Sequence, residues 1–155
     1  MTFPTEEVLM MREEIIRLAG EGIEAWNRGD ADGVAATDAD DVVTIDCTLP
    51  EPLHGRDAGR QLVATYMGAF PDLHVEVTRS IVEGNTLIQE WTATGTHDGD
   101  LLGMPPTHRR MEIRGCGIAD IGEDGKTREL HQYWDQMTMM RQLGAVPETA
   151  GAAGA

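Results

Sequence analysis

The sequence contains few cysteines and no long apolar run, and each of these features excludes a class of protein. Its 155 residues include 2 cysteines, Cys47 and Cys116, which stand far apart and form no C-x-x-C pair. This pattern indicates a reducing compartment and argues against a disulfide scaffold or a structural zinc site. No apolar run reaches the roughly 18 residues that a membrane span needs, and the N-terminus lacks the pattern of a secretory signal. We therefore expect a cytoplasmic protein with no membrane partner.

Basic residues are also scarce. Lys and Arg number 12 against 27 Asp and Glu, which gives a formal net charge of −15. Bulk charge of this sign disfavours binding to nucleic acid or to an anionic membrane. The hydrophobic fraction of 41% and the charged fraction of 25% are ordinary for a globular protein. We assign residues 1–146 to a single domain and residues 147–155 to a disordered Ala/Gly-rich tail.

Periodicity predicts helices first and a run of strands afterwards. Apolar spacings of three and four predict helices at residues 5–28, 30–36 and 56–70, the first two capped by Thr5 and Asp30. Alternating or β-branched segments predict strands at residues 42–47, 73–83, 86–96, 109–121 and 127–137. A turn is expected at residues 39–41, and a last helical turn at residues 138–143. This order is typical of an α+β fold with an antiparallel sheet.

A long curved antiparallel sheet whose concave face is closed by helices forms a cone around an apolar cavity. Glycines lie within or beside the predicted strands, where they are tolerated at bends, at bulges or where another group approaches the backbone. These glycines are Gly84, Gly95, Gly115 and Gly117. Two interpretations stay open at this point, a sheet that makes room for a ligand and a sheet that merely bends.

Several short segments, taken in order, carry the most specific signal in the chain. They are A-F-P-D-L at residues 69–73, G-T-H-D-G at 95–99, G-M-P-P-T at 103–107, D-G-K at 124–126, Asp135, and R-Q-L-G at 141–144. Over roughly residues 8–146 this set resembles the SnoaL-like polyketide cyclase family. The resemblance implies a fold similar to that of nuclear transport factor 2 and ketosteroid isomerase, an α+β cone around one deep pocket.

The resemblance also implies an activity. Well-studied members of the family close the last ring of anthracycline-type aromatic polyketides by intramolecular aldol condensation, without a metal or an organic cofactor. One carboxylate at the end of the last long strand serves as the general acid/base, and its place before the Q-L-G segment makes that residue Asp135 here. We therefore expect a cofactor-free ester cyclase of lyase or isomerase type, acting on a small hydrophobic polycyclic substrate. A hydroxylation-associated protein and a non-catalytic binding protein remain alternatives, because fold does not fix function.

Alternation along the predicted last strand divides its side chains between two faces. One face carries His131, Tyr133, Asp135 and Met137. If Asp135 faces the cavity, desolvation raises the pKa of its carboxyl toward neutrality, which suits proton transfer. We predict that Asp135 moves the proton and that His131 or Tyr133 holds a substrate oxygen, with Met137 as an apolar floor. His131 departs from the family's usual tryptophan, so three roles stay open for it: a second catalytic acid/base group, a hydrogen bond to the ligand, and a core histidine.

Further candidates for the pocket come from other elements: His97, Trp91, Trp26 and Asp46. His97 either lies at the pocket mouth or orders the loop that follows it. The two tryptophans either stack on a flat ligand or pack in the core. Asp46 is either a second pocket carboxylate or a structural group.

Three more expectations concern the sheet and its surroundings. The small residues Gly115, Gly117 and Ala119 depart from the polar side chains that the family places on this strand, which leaves the reaction open. Two histidines and one carboxylate, His97, His131 and Asp135, are residue types that could together bind iron. The family works without metal, so we expect no such site.

Apolar groups on the outer sheet face predict a homodimer or a homotetramer. With Asp135 inward, those groups are Leu130, Trp134 and Ile118.

Overall fold

The computed structural model describes residues 6–147, with side chains from residue 11 onward. The elements in chain order are α1 (Glu6–Asn27), α2 (Ala31–Ala35), β1 (Asp38–Asp46), β2 (Leu53–His54), α3 (Arg56–Ala69), β3 (His74–Glu83), β4 (Thr86–Thr96), β5 (Arg110–Ile121), β6 (Thr127–Trp134) and α4 (Gln136–Gln142). The predicted cap Thr5 and the predicted tail, apart from residue 147, lie outside the described residues. Among residues 6–147, no helix has the length and apolarity needed to cross a membrane.

The strands form one curved, unclosed sheet in the order β2-β1-β6-β5-β4-β3. Neighbouring strands are antiparallel except β1 and β6, which run parallel. Gly84, with φ of 60°, and Asn85 form the two-residue turn between β3 and β4. Register shifts in β1, β3 and β6 mark bulges, which increase the twist and bend of a sheet. The α+β prediction is therefore confirmed, with one parallel pair that it did not include.

Two motif segments that carried the resemblance pack directly on each other. The carboxylate of Asp72 accepts hydrogen bonds from the Thr96 N–H at 2.7 Å and the Thr96 hydroxyl at 2.8 Å. Gly99 lies against the end of α3, where a Cβ would come within 1.9 Å of the Gly68 carbonyl oxygen. A Cβ on Gly95 would lie 3.1 Å from the Cβ of the buried Phe70. These contacts join the end of α3 to the end of β4.

Two buried clusters hold the helices against the concave face of the sheet. One contains Phe70, Met111 and Met139, and the other contains Ile15 and Ile121. Phe70 is 1% exposed, and truncating such a side chain to Ala costs about 3–5 kcal/mol of stability. Members of both clusters also line a cavity, which therefore lies between them.

The edge strand β3 is anchored to α1 by a side chain that imitates a backbone partner. The Asn27 amide donates to the Val75 carbonyl at 2.9 Å, and its oxygen accepts from the Val75 N–H at 2.7 Å. Unpaired edge groups favour pairing with another chain, so this contact removes one such site. It also fixes the end of α1 over the sheet.

Two of the differences from the predicted boundaries affect the site, the start of β1 and the end of β6. β1 begins at Asp38, which pairs with Thr127, whereas residues 39–41 were predicted to form a turn. A bulge lies between Asp38 and Val43, so two acidic residues project outward without ending the strand. β6 ends at Trp134, because the next residue caps α4 and no longer belongs to the strand.

Candidate functional site

The helices α1 and α3 and the concave face of the sheet enclose a cavity of about 280 Å³. Alternate residues of β4, β5 and β6 face it, as the pleat of a strand requires. The wall is largely apolar and carries a few polar groups. They are Thr37, Asp38, Thr44, Asp46, Tyr66, Gln89, Thr127, Gln132 and the indoles of Trp26, Trp91 and Trp134. A deep apolar hollow with a few convergent polar groups is typical of a small-molecule site.

The last strand presents the face opposite to the one predicted. Leu130, Gln132 and Trp134 line the cavity, whereas His131 and Tyr133 lie on the outer face. The His131 Nε2 is 2.6 Å from a Glu129 carboxylate oxygen, and Tyr133 is 48% exposed. The prediction that His131 and Tyr133 face the cavity is therefore wrong.

Because the opposite face of the strand points inward, most of the apolar groups that predicted a homo-oligomer do not lie on the outer face. Leu130 and Trp134, expected on the outer face, line the cavity, and only Ile118 of those three is absent from its wall.

The inward face of the last strand was predicted wrongly because the prediction was based on Asp135. This residue is exposed, and its carboxylate accepts hydrogen bonds from the Thr138 N–H at 3.0 Å and the Thr138 hydroxyl at 2.6 Å. These bonds to the ionised form lower the pKa of Asp135, the opposite of the predicted direction. The prediction that Asp135 faces the cavity is wrong, because the D-x-x-T spacing makes it an N-cap. Met137, predicted as an apolar floor, lies in the first turn of α4 and is 49% exposed.

His97 is fully buried but lies beside the cavity and not on its wall. Its Nδ1 accepts a hydrogen bond from the Thr107 N–H at 3.2 Å and lies 3.0 Å from the Thr107 hydroxyl oxygen. Its ring centroid is 5.6 Å from that of Phe70. Of the two predicted roles, this geometry fits the ordering of the loop that follows β4.

The alternative iron site is not assembled. Between residues 6 and 147, no three His, Cys, Asp or Glu side chains come close enough together to hold a metal ion. His97 is buried next to Phe70, while His131 is on the outer sheet face and Asp135 caps α4.

Trp26, Trp91 and Asp46 do line the cavity. Asp46 is 8% exposed, and one of its oxygens accepts from the Thr48 N–H at 2.9 Å and the Thr48 hydroxyl at 2.7 Å. Its other oxygen accepts from the Trp134 indole N–H at 3.3 Å. These bonds hold Asp46 in place and orient Trp134 on the wall.

Asp38 is the cavity carboxylate that the sequence analysis missed. Burial raises its pKa to about 6, against the opposing charges of Arg56 and Lys126. Those two cations donate their hydrogen bonds elsewhere, Arg56 to the backbone carbonyl of Asp38 at 2.7 Å and Lys126 to that of Ala36 at 2.5 Å. Among the described residues, none donates a hydrogen bond to the Asp38 carboxylate itself. The carboxylate is thus desolvated, near two cations and directly bonded to neither.

A glycine of α3 leaves the space in front of Asp38 open. A Cβ on Gly59 would lie 4.0 Å from Asp38 Oδ2 and 3.8 Å from Thr44 Oγ1. All three residues line the cavity. The Thr44 hydroxyl and the Asp38 carboxylate therefore both lie beside the space that Gly59 leaves free.

Tyr66 of α3 supplies a phenol to the same cavity. Burial and the charge of Asp46 raise its pKa to about 12, so it stays protonated at neutral pH. Its ring meets the Trp134 ring edge-on, with centroids 6.0 Å apart and planes at 81°. The apolar spacing that predicts α3 also places Tyr66 on the inner side of this helix, and this signal could have identified it.

A curved sheet closed by helices around an apolar cavity defines a fold of the nuclear transport factor 2 type. The model of the SnoaL-like polyketide cyclase family matches residues 17–143, and the chain belongs to this family. The predicted resemblance is therefore confirmed.

Relatives within this fold have different activities. Epoxide hydrolase LasB of Streptomyces lasalocidi is 31% identical over 113 residues, 70% of this chain and 36% of LasB, so the chain spans about a third of that relative. Nogalonic acid methyl ester cyclase of Streptomyces nogalater is 31% identical over 128 residues, 79% of this chain and 91% of the cyclase. The structure of AclR, a proposed hydroxylase of Streptomyces galilaeus, aligns with a TM-score of 0.80 at 26% identity and covers 91% of this chain and 87% of AclR.

Proposed function

We propose that the protein is a polyketide cyclase that closes a ring of an anthracycline-like aromatic polyketide ester by intramolecular aldol condensation. Asp38 moves the proton, and the reaction uses no metal or organic cofactor. Support comes from the family, from a cyclase relative of nearly the same length, and from the cavity. The observation that carries the proposal is a desolvated carboxyl without a hydrogen-bond donor on the wall of an apolar hollow.

The proposed step transfers one proton and forms one carbon–carbon bond. The Asp38 carboxylate removes a proton from a carbon between two carbonyl groups, and the resulting enolate carbon attacks a ketone carbon of the same molecule. The ketone oxygen becomes an alkoxide and takes a proton from the Tyr66 phenol. The proton that Asp38 removed from carbon then passes, directly or through water, to the Tyr66 phenolate, which restores both groups. Substrate and product are then isomers.

The acidity of Asp38 suits this step. A carboxyl with a pKa of about 6 is mostly ionised at neutral pH, yet it is a stronger base than an ordinary aspartate. The neighbouring charges of Arg56 and Lys126 oppose the effect of burial and keep the base ionised.

Tyr66 is the proposed donor to the developing alkoxide. Its raised pKa keeps the phenol protonated, and among the described residues its hydroxyl has no hydrogen-bond partner. The indoles of Trp26 and Trp91 provide flat surfaces for an aromatic substrate. The wall thus combines a base, a neutral donor and stacking surfaces.

The test is turnover of nogalonic acid methyl ester by purified variants. We expect Asp38→Asn to lower kcat by roughly two orders of magnitude or more, the scale of lost acid/base catalysis. The matched control is Asp135→Asn, which keeps the helix cap, because Asn caps about as well as Asp, and should turn over at the wild-type rate. Wild-type turnover in Asp38→Asn, or its loss in Asp135→Asn, contradicts the assignment.

The same reaction mixture separates the alternatives. With dioxygen and a reductant added, a cyclase gives a product with the mass of the substrate, whereas a hydroxylation-associated protein gives one heavier by an oxygen atom. The likeness to AclR is the observation that favours this second activity. A non-catalytic binding protein binds the ester, measured by quenching of tryptophan fluorescence, and leaves its mass and retention time unchanged.

We also propose that the protein is a homodimer or a homotetramer. The outer sheet face exposes Tyr133 at 48% and carries the half-buried Ile118. Aromatic and aliphatic groups on a broad sheet face commonly pack against a second copy. A monomer by light scattering at micromolar concentration contradicts this proposal.

A further inference from the structure

Two glycines on β5 face two large side chains on the neighbouring strands. Trp91 of β4 pairs with Gly115, and Gln132 of β6 pairs with Gly117. A Cβ on Gly115 would lie 2.2 Å from Trp91 Cζ2, and a Cβ on Gly117 would lie 3.1 Å from the Gln132 amide. The indole and the amide therefore lie across the backbone of β5, in space that only glycine leaves free.

The two side chains meet over β5. The Trp91 indole N–H donates a hydrogen bond to Gln132 Oε1 at 3.2 Å. An indole nitrogen only donates, so the amide atom that faces it must be the oxygen. The orientation of the Gln132 amide is thereby fixed, and its NH₂ group is turned away from the indole.

The Gln132 NH₂ group has no acceptor in the part of the chain that is described. Trp91 and Gln132 both line the cavity, and the one hydrogen bond between their side chains uses the amide oxygen. A donor without an acceptor on an apolar wall is unfavourable until a ligand or a water molecule supplies an oxygen.

We propose that the Gln132 amide positions the substrate by donating a hydrogen bond to a carbonyl oxygen of a flat polycyclic ligand that lies over β5. This inference rests on the proposed function and adds to it the group that selects the ligand. Gln132 is neutral and donates, whereas a carboxylate at this position would repel a carbonyl oxygen or an enolate. Trp91 acts through Gln132 as a positioning residue, and Gly115 and Gly117 make room for the pair.

The experiment compares two probes of the same tricyclic shape, 9,10-anthraquinone with its carbonyl groups and anthracene without them. Wild-type protein should bind the quinone more tightly in a fluorescence-quenching titration. Gln132→Glu keeps the size of the side chain and its acceptor for Trp91 but loses the donor. We expect it to weaken quinone binding by roughly tenfold, the effect of one lost hydrogen bond, and to leave anthracene binding unchanged.

Two further variants distinguish a donor from a space-filling side chain. Gln132→Met retains bulk without polarity and should show the same loss of preference for the quinone. Trp91→Phe removes the N–H that orients the amide and should give a smaller loss in the same direction. Thermal melts confirm that each variant is folded before its titration is interpreted.

The outcomes separate this inference from the proposed function. If Gln132→Glu and Gln132→Met bind the quinone as wild type does, the inference is overturned even if Asp38→Asn abolishes turnover. If the quinone preference depends on Gln132 while wild-type protein converts no ester, the inference stands and the proposed function fails. A wild-type protein with no preference between the two probes also overturns the inference.

Discussion

Replacing Asp38 by Asn should stabilise the protein at neutral pH. Burial raises the pKa of this carboxyl from its ordinary value of 3.8 to about 6, so the folded protein holds the proton more tightly than the unfolded chain does. The ionised form is therefore the unfavourable one in the fold. Asn has a similar shape and no charge, so it removes this penalty.

The magnitude follows from the two pKa values. The difference between 3.8 and about 6 corresponds to about 3 kcal/mol of unfolding free energy at pH 7. Because the folded pKa is the higher one, wild-type stability is unaffected by this group below about pH 4. It falls as the pH rises from about 4 to about 6 and stays lowered above that range. We expect Asp38→Asn to exceed wild type by up to about 3 kcal/mol at pH 7 and to equal it below about pH 4.

Urea denaturation at closely spaced pH values measures this difference. The quantity of interest is the variant's unfolding free energy minus that of wild type, since every other carboxylate then cancels. Glu76→Gln is a matched control, because Glu76 is an exposed carboxylate on β3. A pH-dependent difference that Asp38→Asn shows and Glu76→Gln does not is then specific to the buried carboxyl.

A constant difference between Asp38→Asn and wild type across this pH range would contradict the prediction. So would a variant that is less stable than wild type at pH 7 and equal to it at low pH. Either result means that Asp38 is well solvated or well paired. Asp38 would then not be the base of the proposed reaction.

Four further predictions concern single groups. Turnover by wild type should rise with pH through about 6 as Asp38 ionises, a step that a pH–rate profile shows. Tyr66→Phe should lower kcat by about tenfold or more without changing the melting temperature. Asp135→Ala should lower the melting temperature, more so at pH 7 than at acidic pH, because a lowered pKa stabilises the fold only while the group is ionised. Gly115→Ala should cost about 1–3 kcal/mol in urea denaturation, because its Cβ displaces Trp91.

Much of the fold could be predicted from the sequence because the signals are local. The apolar spacing of α1, the cap of α2 at Asp30 and the Gly84-Asn85 turn each depend on a few adjacent residues. The start of β1 and the end of β6, the two strands of the parallel pair, were harder to predict. Asp38 follows a helix and precedes more acidic residues, which resembles a turn, and only its pairing with Thr127 makes it part of a strand.

The site was predicted only in part, for a reason that one residue illustrates. Alternation groups the side chains of a strand into two faces but does not tell which face points inward. That choice was based on Asp135, which lies one residue beyond the end of β6. The spacing from Asp135 to Thr138, typical of a helix cap, was the local signal against it. Ending the strand at Trp134, and not at residue 137, removes Asp135 from it and leaves the observed wall of Gln132 and Trp134.

The absence of a side chain at Gly59 influences the pKa of Asp38. Alanine is preferred over glycine within a helix by about 1 kcal/mol, so a methyl group here would strengthen α3. That methyl would also rest against the carboxyl oxygen of Asp38 and shield it further from solvent. The glycine thus spares the proposed base additional desolvation at the expense of helix strength, and a single carbon atom at this position would raise the pKa of Asp38 further.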